Sequence, residues 1–339
     1  MNQKIKEIAK KLGAKKILTA WYEIKNIPAL VRFWLNERQS ICDDFDTKKF
    51  KNIYEQERKE YYELKKEDIR GFVMSEWLDN VKKIERYFLN NFSSKFLHNR
   101  LIRNTMFVAA DGFFQKVELN FLESRMGKDV LAGLLRENKL GAPLITSKKY
   151  NTSTNTIHHL YHLKKFETES KVSLSSFSSV VEFGGGYGNL SRIFKKINPG
   201  ATYIIIDLPV FSFIQSVYLK TILGINNVVI IKNNNDKIQA GKVNIVPLNL
   251  EVMVALDFGS IDLFVSTWAL SETPSMMQNF IKNLKYFGSK YLLLAYQKNN
   301  RSFVVAENIK NLDVDYESCF SAITEYIPNN YYLFARKIR

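Results

Sequence analysis

Apolar positions recur at helical spacing through about the first 140 residues, where no convincing run of strands is found. In residues 75–92, SEWLDNVKKIERYFLNNF, a single stripe comprises Trp77, Val81, Ile84, Phe88 and Phe92. Residues 129–138, DVLAGLLREN, carry a second, shorter helical pattern. Because a period of 3.6 residues places such side chains on one helix face, we predict a helical region with these aromatic rings in its core.

Residues 141–156, GAPLITSKKYNTSTNT, interrupt the helical pattern. Gly, Pro, Ser, Thr and Asn cluster there, as is typical of a loop between elements. Residues 156–166, TIHHLYHLKKF, return to helical spacing, and Asn155 or Thr156 is the expected N-cap. We therefore predict two domains, a helical N-terminal domain over residues 1–145 and a second domain over residues 146–339.

Short continuous apolar runs alternate with amphipathic segments from residue 179 onward. The runs are SVVEFGG, ATYIIIDLP, KVNIVPLN, IDLFVSTWAL and KYLLLAYQ, with NVVIIK as an ambiguous extra strand. Such alternation predicts a parallel sheet covered by helices on both faces. The segments ITEYIP and YYLFARK, joined by a short NN turn, predict an antiparallel hairpin at the sheet. The predicted fold class is α/β: a mostly parallel, Rossmann-like sheet with a terminal antiparallel hairpin, preceded by a helical domain.

Composition and cysteine content exclude several classes of protein. The chain has 339 residues, of which 46% are hydrophobic, enough for one large or two ordinary domains. Its two cysteines, Cys42 and Cys319, cannot form a disulfide framework or a four-cysteine zinc site. No run of about 18 uncharged apolar residues is present, and the basic N-terminus lacks an apolar core. We therefore expect no membrane span, no secretory signal and a cytoplasmic location.

The formal net charge of +15 lies mostly in the first half of the chain. Such an excess could attract nucleic acid, an anionic membrane face or an acidic substrate. In residues 55–68, EQERKEYYELKKED, Lys is interleaved with Glu as on a solvated helix face. No nucleic-acid-binding motif accompanies the charge, so we expect no nucleic-acid partner. Peripheral membrane contact and homo-oligomer formation stay open.

Four of the fifteen glycines lie in residues 180–190, VVEFGGGYGNL, between a predicted strand and a predicted helix. In an open α/β sheet, ligands bind at that place, beyond the carboxyl ends of the strands. The dinucleotide fingerprint G-x-G-x-x-G fails at Asn189 if it starts at Gly184, and at Ser191 if it starts at Gly186. The pattern of an acidic residue followed by three alternate glycines is complete: Glu182, Gly184, Gly186 and Gly188.

Asp207 ends the next predicted strand, where a carboxylate can accept both hydroxyls of a ribose. NAD and S-adenosylmethionine both carry that ribose, so Asp207 does not distinguish them. A carboxylate at Glu182 would repel a pyrophosphate, whereas it suits the cationic amino group of S-adenosylmethionine. The sequence therefore favours S-adenosylmethionine as the cofactor.

VVEFGGGYGNL, YIIIDLP and FVSTWALSE together resemble class I S-adenosylmethionine-dependent methyltransferases, and more narrowly the bacterial sugar O-methyltransferases. The resemblance extends from about residue 141 to residue 295 and includes the upstream segment STNTIHHLYHLKKF. It implies a class I methyltransferase sheet and in-line methyl transfer to a hydroxyl of a glycan or nucleotide-linked sugar. The cofactor contacts expected on this basis are Glu182, Gly184, Gly186, Tyr187, Gly188, Asp207, Leu208, Asn249, Ser266 and Thr267.

The proton of the acceptor hydroxyl requires a base, and histidine is the commonest one near neutral pH. Three of the four histidines, His158, His159 and His162, lie within five residues, and each is a candidate. Glu272 is the second kind of candidate, in the segment TWALSETP. Hydroxyindole and plant phenylpropanoid O-methyltransferases, which the DLP motif also resembles, place their base histidine in a comparable segment, but no histidine occurs here. His158 and His162, spaced i, i+4, could instead bind a metal or only pack, and we predict no metal site.

Three other functions compete with methyl transfer to a sugar. The first is methyl transfer to another small molecule or secondary metabolite. The second is an NAD-dependent oxidoreductase, which the residues at 182, 189 and 191 disfavour. The third is a non-catalytic scaffold, which the complete set of glycines and acidic residues disfavours.

Overall fold

The described part of the N-terminal region is built mainly of helices, as its periodicity predicts. The computed structural model describes residues 46–64, 71, 73–108, 115–297, 309, 315–323 and 330–338. Asp46 caps the first helix by accepting the backbone N–H of Lys49 at 2.9 Å. Ile84, Phe88 and Phe92 of the predicted stripe are buried. The helices here are α1 (Thr47–Glu63), α2 (Ser75–Asn91), α3 (Arg100–Thr105), α4 (Gln115–Glu123) and α5 (Lys128–Leu135).

The histidine-rich helix, α6, spans Thr154–Ser170 and begins earlier than predicted. Its N-cap is Ser153, whose Oγ accepts the backbone N–H of Thr156 at 3.2 Å. The predicted caps, Asn155 and Thr156, are buried inside the first turn. The hydroxyl of Thr156 accepts a hydrogen bond from Arg192 at 2.9 Å, so it is engaged in a tertiary contact and not in capping.

The second half of the chain forms one eight-stranded sheet in the order β3-β4-β2-β1-β5-β6-β8-β7. The six strands from β3 to β6 in this order run parallel, and Val181 at the centre of β1 pairs with Ile204 on β2 and Phe264 on β5. The strands are β1 (Ser179–Phe183), β2 (Thr202–Asp207), β3 (Val228–Ile230), β4 (Val243–Pro247), β5 (Leu263–Thr267), β6 (Tyr291–Gln297), β7 (Tyr316–Ile323) and β8 (Asn330–Lys337).

The antiparallel pair at the end of the sheet is present, but its first strand lies earlier than predicted. β8 pairs antiparallel with both β6 and β7, and the ambiguous run NVVIIK supplies β3. β7 ends at Ile323, where the predicted strand ITEYIP begins, and residues 324–329 lie outside the described part of the chain. β7 has mostly exposed side chains, as expected of an edge strand, so it lacks the continuous apolar run of a buried strand.

Helices cover both faces of the sheet, and a helical segment follows most of the parallel strands. α6, α7 (Asn189–Ile197) and α8 (Pro209–Leu223) contribute to one apolar core, while α9 (Leu250–Ala255) and α10 (Ser275–Asn283) contribute to the other. The predicted α/β class, with the mostly parallel sheet that the methyltransferase resemblance implied, is confirmed. No helix among the described residues is long and apolar enough to cross a membrane.

The N-terminal helices share the first of these cores with the sheet. The ring of Tyr61 on α1 meets that of Phe213 on α8 edge to face, 5.1 Å between centroids. Lys220 on α8 pairs with the buried carboxylate of Glu57 on α1 at 2.6 Å. The boundary predicted near residue 145 therefore lies within a continuous core, and the division into two domains stays a prediction.

Candidate active site

The glycine loop turns sharply between β1 and α7. Gly184, Gly186 and Gly188 have φ values of 81°, 58° and 89°, in the left-handed region that favours glycine. A Cβ at Gly184 would lie 2.0 Å from the Cβ of Ala269, so the turn after β5 packs directly on the first glycine. At Gly186 the nearest atom to such a Cβ would be in Met106, at 3.7 Å. The loop therefore lies between the β5 turn and the end of α3.

Asp207, at the carboxyl end of β2, is hydrogen-bonded to this loop. Its Oδ2 accepts the backbone N–H of Gly186 at 3.1 Å and the Nε2 of Gln215 at 2.8 Å, and its Oδ1 accepts the N–H of Leu208 at 2.8 Å. Burial raises the pKa of Asp207 to about 7, against the lowering effect of these hydrogen bonds. The glycine loop and the acidic residue at the end of β2, which the sequence analysis singles out together, are therefore in direct contact.

Gln215 on α8 is a polar neighbour of the loop that the sequence analysis missed. Its Nε2 also donates to the carbonyl of Gly186 at 3.0 Å. Its Oε1 is buried and has no hydrogen-bond partner among the residues that the structure describes. The signal in the sequence is a lone amide within the apolar run FSFIQSVYL, two turns after Asp207. A buried acceptor of this kind beside Asp207 is suited to a ligand that donates hydrogen bonds.

Glu182 lies on β1, in the interior of the sheet. Its side chain is 2% exposed and accepts the hydroxyl of Tyr203, on β2, at 2.9 Å. Burial raises the pKa of Glu182 to about 8, and the nearby Asp207 acts in the same direction. A Cβ at Gly185 would approach Glu182 Oε2 to 3.2 Å. Glu182 therefore supports the loop from the interior of the sheet.

The other predicted cofactor residues lie near the carboxyl edge and have structural partners. Tyr187 is buried, and its ring meets those of Phe96 and Tyr218. Asn249 caps α9 by accepting the N–H of Val252 at 3.0 Å. Ser266 is buried and accepts the N–H of Leu270 at 3.0 Å, and Thr267 ends β5 half-buried. Of these residues, Asn249 and Thr267 are half-buried at the edge, whereas Tyr187 and Ser266 are buried.

His158 forms a buried pair with Glu118 of α4. Its Nδ1 donates to Glu118 Oε1, and both side chains are at most 1% exposed. Because a carboxylate only accepts, this contact places the hydrogen on Nδ1 and leaves Nε2 as the basic nitrogen of the neutral ring. A histidine oriented by a carboxylate is the arrangement of a general base. Glu118 was not predicted, since QKVELNFLE gives only a helical pattern.

The turn after β5 joins this pair to the glycine loop. The indole of Trp268 stacks on the imidazole of His158, with centroids 5.0 Å apart and planes 20° apart. The ring of Phe107 meets both, at 4.4 Å from Trp268 and 5.6 Å from His158. Ala269, the next residue in the chain, packs on Gly184. Two neighbouring residues of this turn therefore contact the His158–Glu118 pair and the glycine loop.

His159 and His162 have other partners. Nδ1 of His159 is 2.9 Å from Nδ2 of Asn189, and burial lowers its pKa to about 3. Nδ1 of His162 shares a hydrogen bond of 2.5 Å with the hydroxyl of Tyr332, and burial lowers its pKa well below the usual value. In the described part of the chain, no group of three or more His, Cys, Asp or Glu could hold a metal ion. Among the three histidines, only His158 has a carboxylate partner in these contacts.

Glu272, the remaining base candidate, lies at the end of the same β5 turn. Burial raises its pKa to about 7, and Trp77 on α2 donates a hydrogen bond to it. The indole of Trp77 also meets the ring of Phe211, in the first turn of α8, edge to face at 6.1 Å. Trp77 therefore lies between the segments that follow β2 and β5, so α2 covers the carboxyl edge of the sheet.

A buried ion pair fixes α6 against the loop helix. Arg192 on α7 reaches Glu137 at 3.2 Å, and both side chains are at most 4% exposed. The same guanidinium donates to Thr156 Oγ1 at 2.9 Å and to Asn189 Oδ1 at 2.6 Å. α6 carries His158, and α7 directly follows the glycine loop. This network therefore holds His158 at a fixed distance from the glycine loop.

Comparisons with known proteins find similarity at the level of the fold. No family model and no curated protein sequence matches the chain. Magnesium protoporphyrin IX methyltransferase ChlM from Synechocystis PCC 6803, with bound SAM, is 14% identical over 66% of this chain and 96% of its own, with a TM-score of 0.39. An rRNA methylase from Escherichia coli is 11% identical over 84% and 99%, with a TM-score of 0.38.

Mitomycin 7-O-methyltransferase MmcR is 11% identical over 54% of this chain, with a TM-score of 0.35. This chain spans 57% of the length of MmcR.

Proposed function

We propose that this protein is an S-adenosylmethionine-dependent O-methyltransferase acting on a hydroxyl of a sugar, in a glycan or a nucleotide-linked sugar. The observation that carries the proposal is the meeting of the glycine loop with the Glu118–His158 pair through the Trp268–Ala269 turn. The glycine loop suits an adenosine cofactor, and the Glu118–His158 pair suits removal of a proton from a hydroxyl.

The residues at the carboxyl edge fit S-adenosylmethionine. Asp207 supplies a carboxylate for the ribose hydroxyls, and Gln215 Oε1 is a buried acceptor beside it without a partner in the described part of the chain. The left-handed glycines allow close approach of the loop backbone to a ligand. When bound, this cofactor supplies a methyl group activated by a sulfonium. Glu182 is left out of the direct contacts because its carboxyl is buried against Tyr203.

His158 is the proposed general base. Its Nε2 would take the proton of the acceptor hydroxyl, and Glu118 would stabilise the resulting imidazolium. Burial of both side chains strengthens that charge interaction, since water does not screen it. His159 and His162 stay neutral in their own hydrogen bonds and are assigned structural roles.

The sugar as acceptor rests on the resemblance of EFGGGYG, IDLP and ALSE to bacterial sugar O-methyltransferases. A second candidate acceptor is another small molecule with a planar ring. The ring of Phe107, which is 40% exposed and adjoins His158 and Trp268, favours such a molecule because aromatic rings stack on one another.

Calorimetry tests the cofactor. We expect saturable binding of S-adenosylhomocysteine to the wild-type protein, no binding of NAD, and loss of binding in Asp207→Ala. Binding of NAD alone would overturn the proposal in favour of an oxidoreductase. Unchanged binding of S-adenosylhomocysteine in Asp207→Ala would refute the cofactor placement.

Methyl transfer from labelled S-adenosylmethionine tests the acceptor and the base. Nucleotide sugars and planar phenols would be offered in parallel, and methylation of phenols alone would favour the second acceptor class. His158→Gln is expected to lower the rate by about 10²–10⁴-fold with S-adenosylhomocysteine binding intact. Glu272→Gln is the matched comparison, and a loss of activity confined to that variant would transfer the base assignment to Glu272.

A further inference from the structure

Trp268 has a backbone conformation that is unusual for a bulky residue. Its φ and ψ are 68° and −35°, outside the regions that a tryptophan ordinarily adopts. Its N–H donates to the carbonyl of Ala295 at 2.6 Å, and its own carbonyl accepts the N–H and the hydroxyl of Ser271 at 2.9 and 2.6 Å. Such strained backbone conformations persist where several surrounding contacts hold the residue in place, and they cluster at functional sites.

The strained turn directs the indole onto His158. The two rings are nearly parallel, while the ring of His162 meets that of His158 edge-on at 4.1 Å. Glu118 accepts a hydrogen bond from Nδ1 of His158 in the plane of the ring, while the indole packs on the face of the same ring. Rotation of the imidazole about its Cβ–Cγ bond would break the stack, so the indole restricts the plane of the ring.

We propose that Trp268 is a positioning residue that fixes the plane of the His158 imidazole and stabilises the ring as a cation. The catalytic part of this inference rests on the proposed function. As the base takes the acceptor's proton, the new charge lies over the face of the indole, within the distance of about 6 Å at which a cation is attracted to a tryptophan ring. An aliphatic side chain of similar volume fills the space but offers no such attraction.

The turn after β5 supplies the tryptophan, and the histidine comes from α6. Two stretches about 110 residues apart in the sequence therefore contribute one functional unit.

Histidine NMR tests the positioning without reference to catalysis. The protein would be labelled with ¹³C at histidine Cε1, and His158 assigned by its disappearance in His158→Gln. We expect an upfield His158 proton resonance from the indole ring current, a smaller upfield displacement in Trp268→Phe, and in Trp268→Leu only the displacement that the remaining rings of Phe107 and His162 cause. An unchanged His158 resonance in Trp268→Leu would overturn the proposal.

Kinetics test the consequence for the proposed reaction, with the acceptor that the wild-type protein methylates. We expect Trp268→Leu to lower kcat by about 10- to 100-fold, as for a misplaced catalytic group, with Trp268→Phe intermediate. The acceptor KM and the Kd for S-adenosylhomocysteine should stay unchanged, as should every parameter of Phe258→Leu, an aromatic substitution in the opposite core. Equal kcat in Trp268→Phe and Trp268→Leu would overturn the cationic stabilisation. Absence of methyl transfer in the wild-type protein would refute the proposed function, whereas the NMR result would still decide the positioning.

Discussion

Substitution of Glu182 by glutamine should change how the stability of the protein depends on pH. Burial raises the pKa of Glu182 from 4.5 to about 8, so between these values the native protein holds a proton that the unfolded chain has released. Stability from this group is therefore fully present below about pH 4.5 and is lost as the pH rises to about 8. At 1.36 kcal/mol per pKa unit, the loss amounts to about 5 kcal/mol as an order of magnitude.

Urea denaturation followed by circular dichroism at pH 5, 6, 7 and 8 measures this dependence. Glutamine resembles the protonated carboxyl and can still accept the hydroxyl of Tyr203, so Glu182→Gln should be more stable than the wild-type protein at pH 8. The difference should shrink toward pH 5. Glu63→Gln, an exposed position on α1, serves as the control. Parallel pH profiles for Glu182→Gln and the wild-type protein would refute the reasoning.

Four further substitutions test the packing around the site, each by urea denaturation. Gly184→Ala should destabilise the fold by about 3 kcal/mol or more, from a left-handed backbone and a direct clash, whereas Gly186→Ala should cost only about 1–2 kcal/mol. Glu137→Gln should cost about 3–5 kcal/mol, because it leaves the charge of Arg192 buried without its partner. Tyr332→Phe should cost about 1–3 kcal/mol by removing a buried hydrogen bond.

Binding of S-adenosylhomocysteine supplies the control for these variants. Tyr332→Phe should bind it as the wild-type protein does, since the tyrosine lies on β8 and contacts only His162 of the candidate residues. Equal stability of Gly184→Ala and Gly186→Ala would contradict the packing of Ala269 on the first glycine. A neutral effect of Glu137→Gln would contradict the buried ion pair.

The parallel strands were predictable because each is a continuous apolar run. A strand buried on both faces needs such a run, and β1, β2 and β4–β6 have it. β7 was misplaced because the edge strand YESCFSAI lacks a continuous apolar run and has mostly exposed side chains. Its position is determined by pairing with β8, which local sequence does not encode.

The candidate site was predictable where a local motif exists and not where tertiary contact defines it. Gly184 and Asp207 belong to patterns that can be read within a few residues. Glu118 and Gln215 lie in helices whose apolar periodicity predicts a helix but no functional role for either residue. Only the folded chain brings Glu118 to His158 and Gln215 to the glycine loop. The choice among three adjacent histidines likewise required the partner of each ring.

The Glu118–His158 contact joins groups 40 residues apart, and the Trp268 stack adds a third segment 110 residues further along. Pairings of such long sequence separation form late, because the chain must first lose the entropy of closing the intervening loops. The ring-current displacement of His158 would then report on completed assembly during refolding, appearing after the recovery of helical circular dichroism. The time at which this resonance recovers would therefore measure how fast the N-terminal helices dock on the sheet.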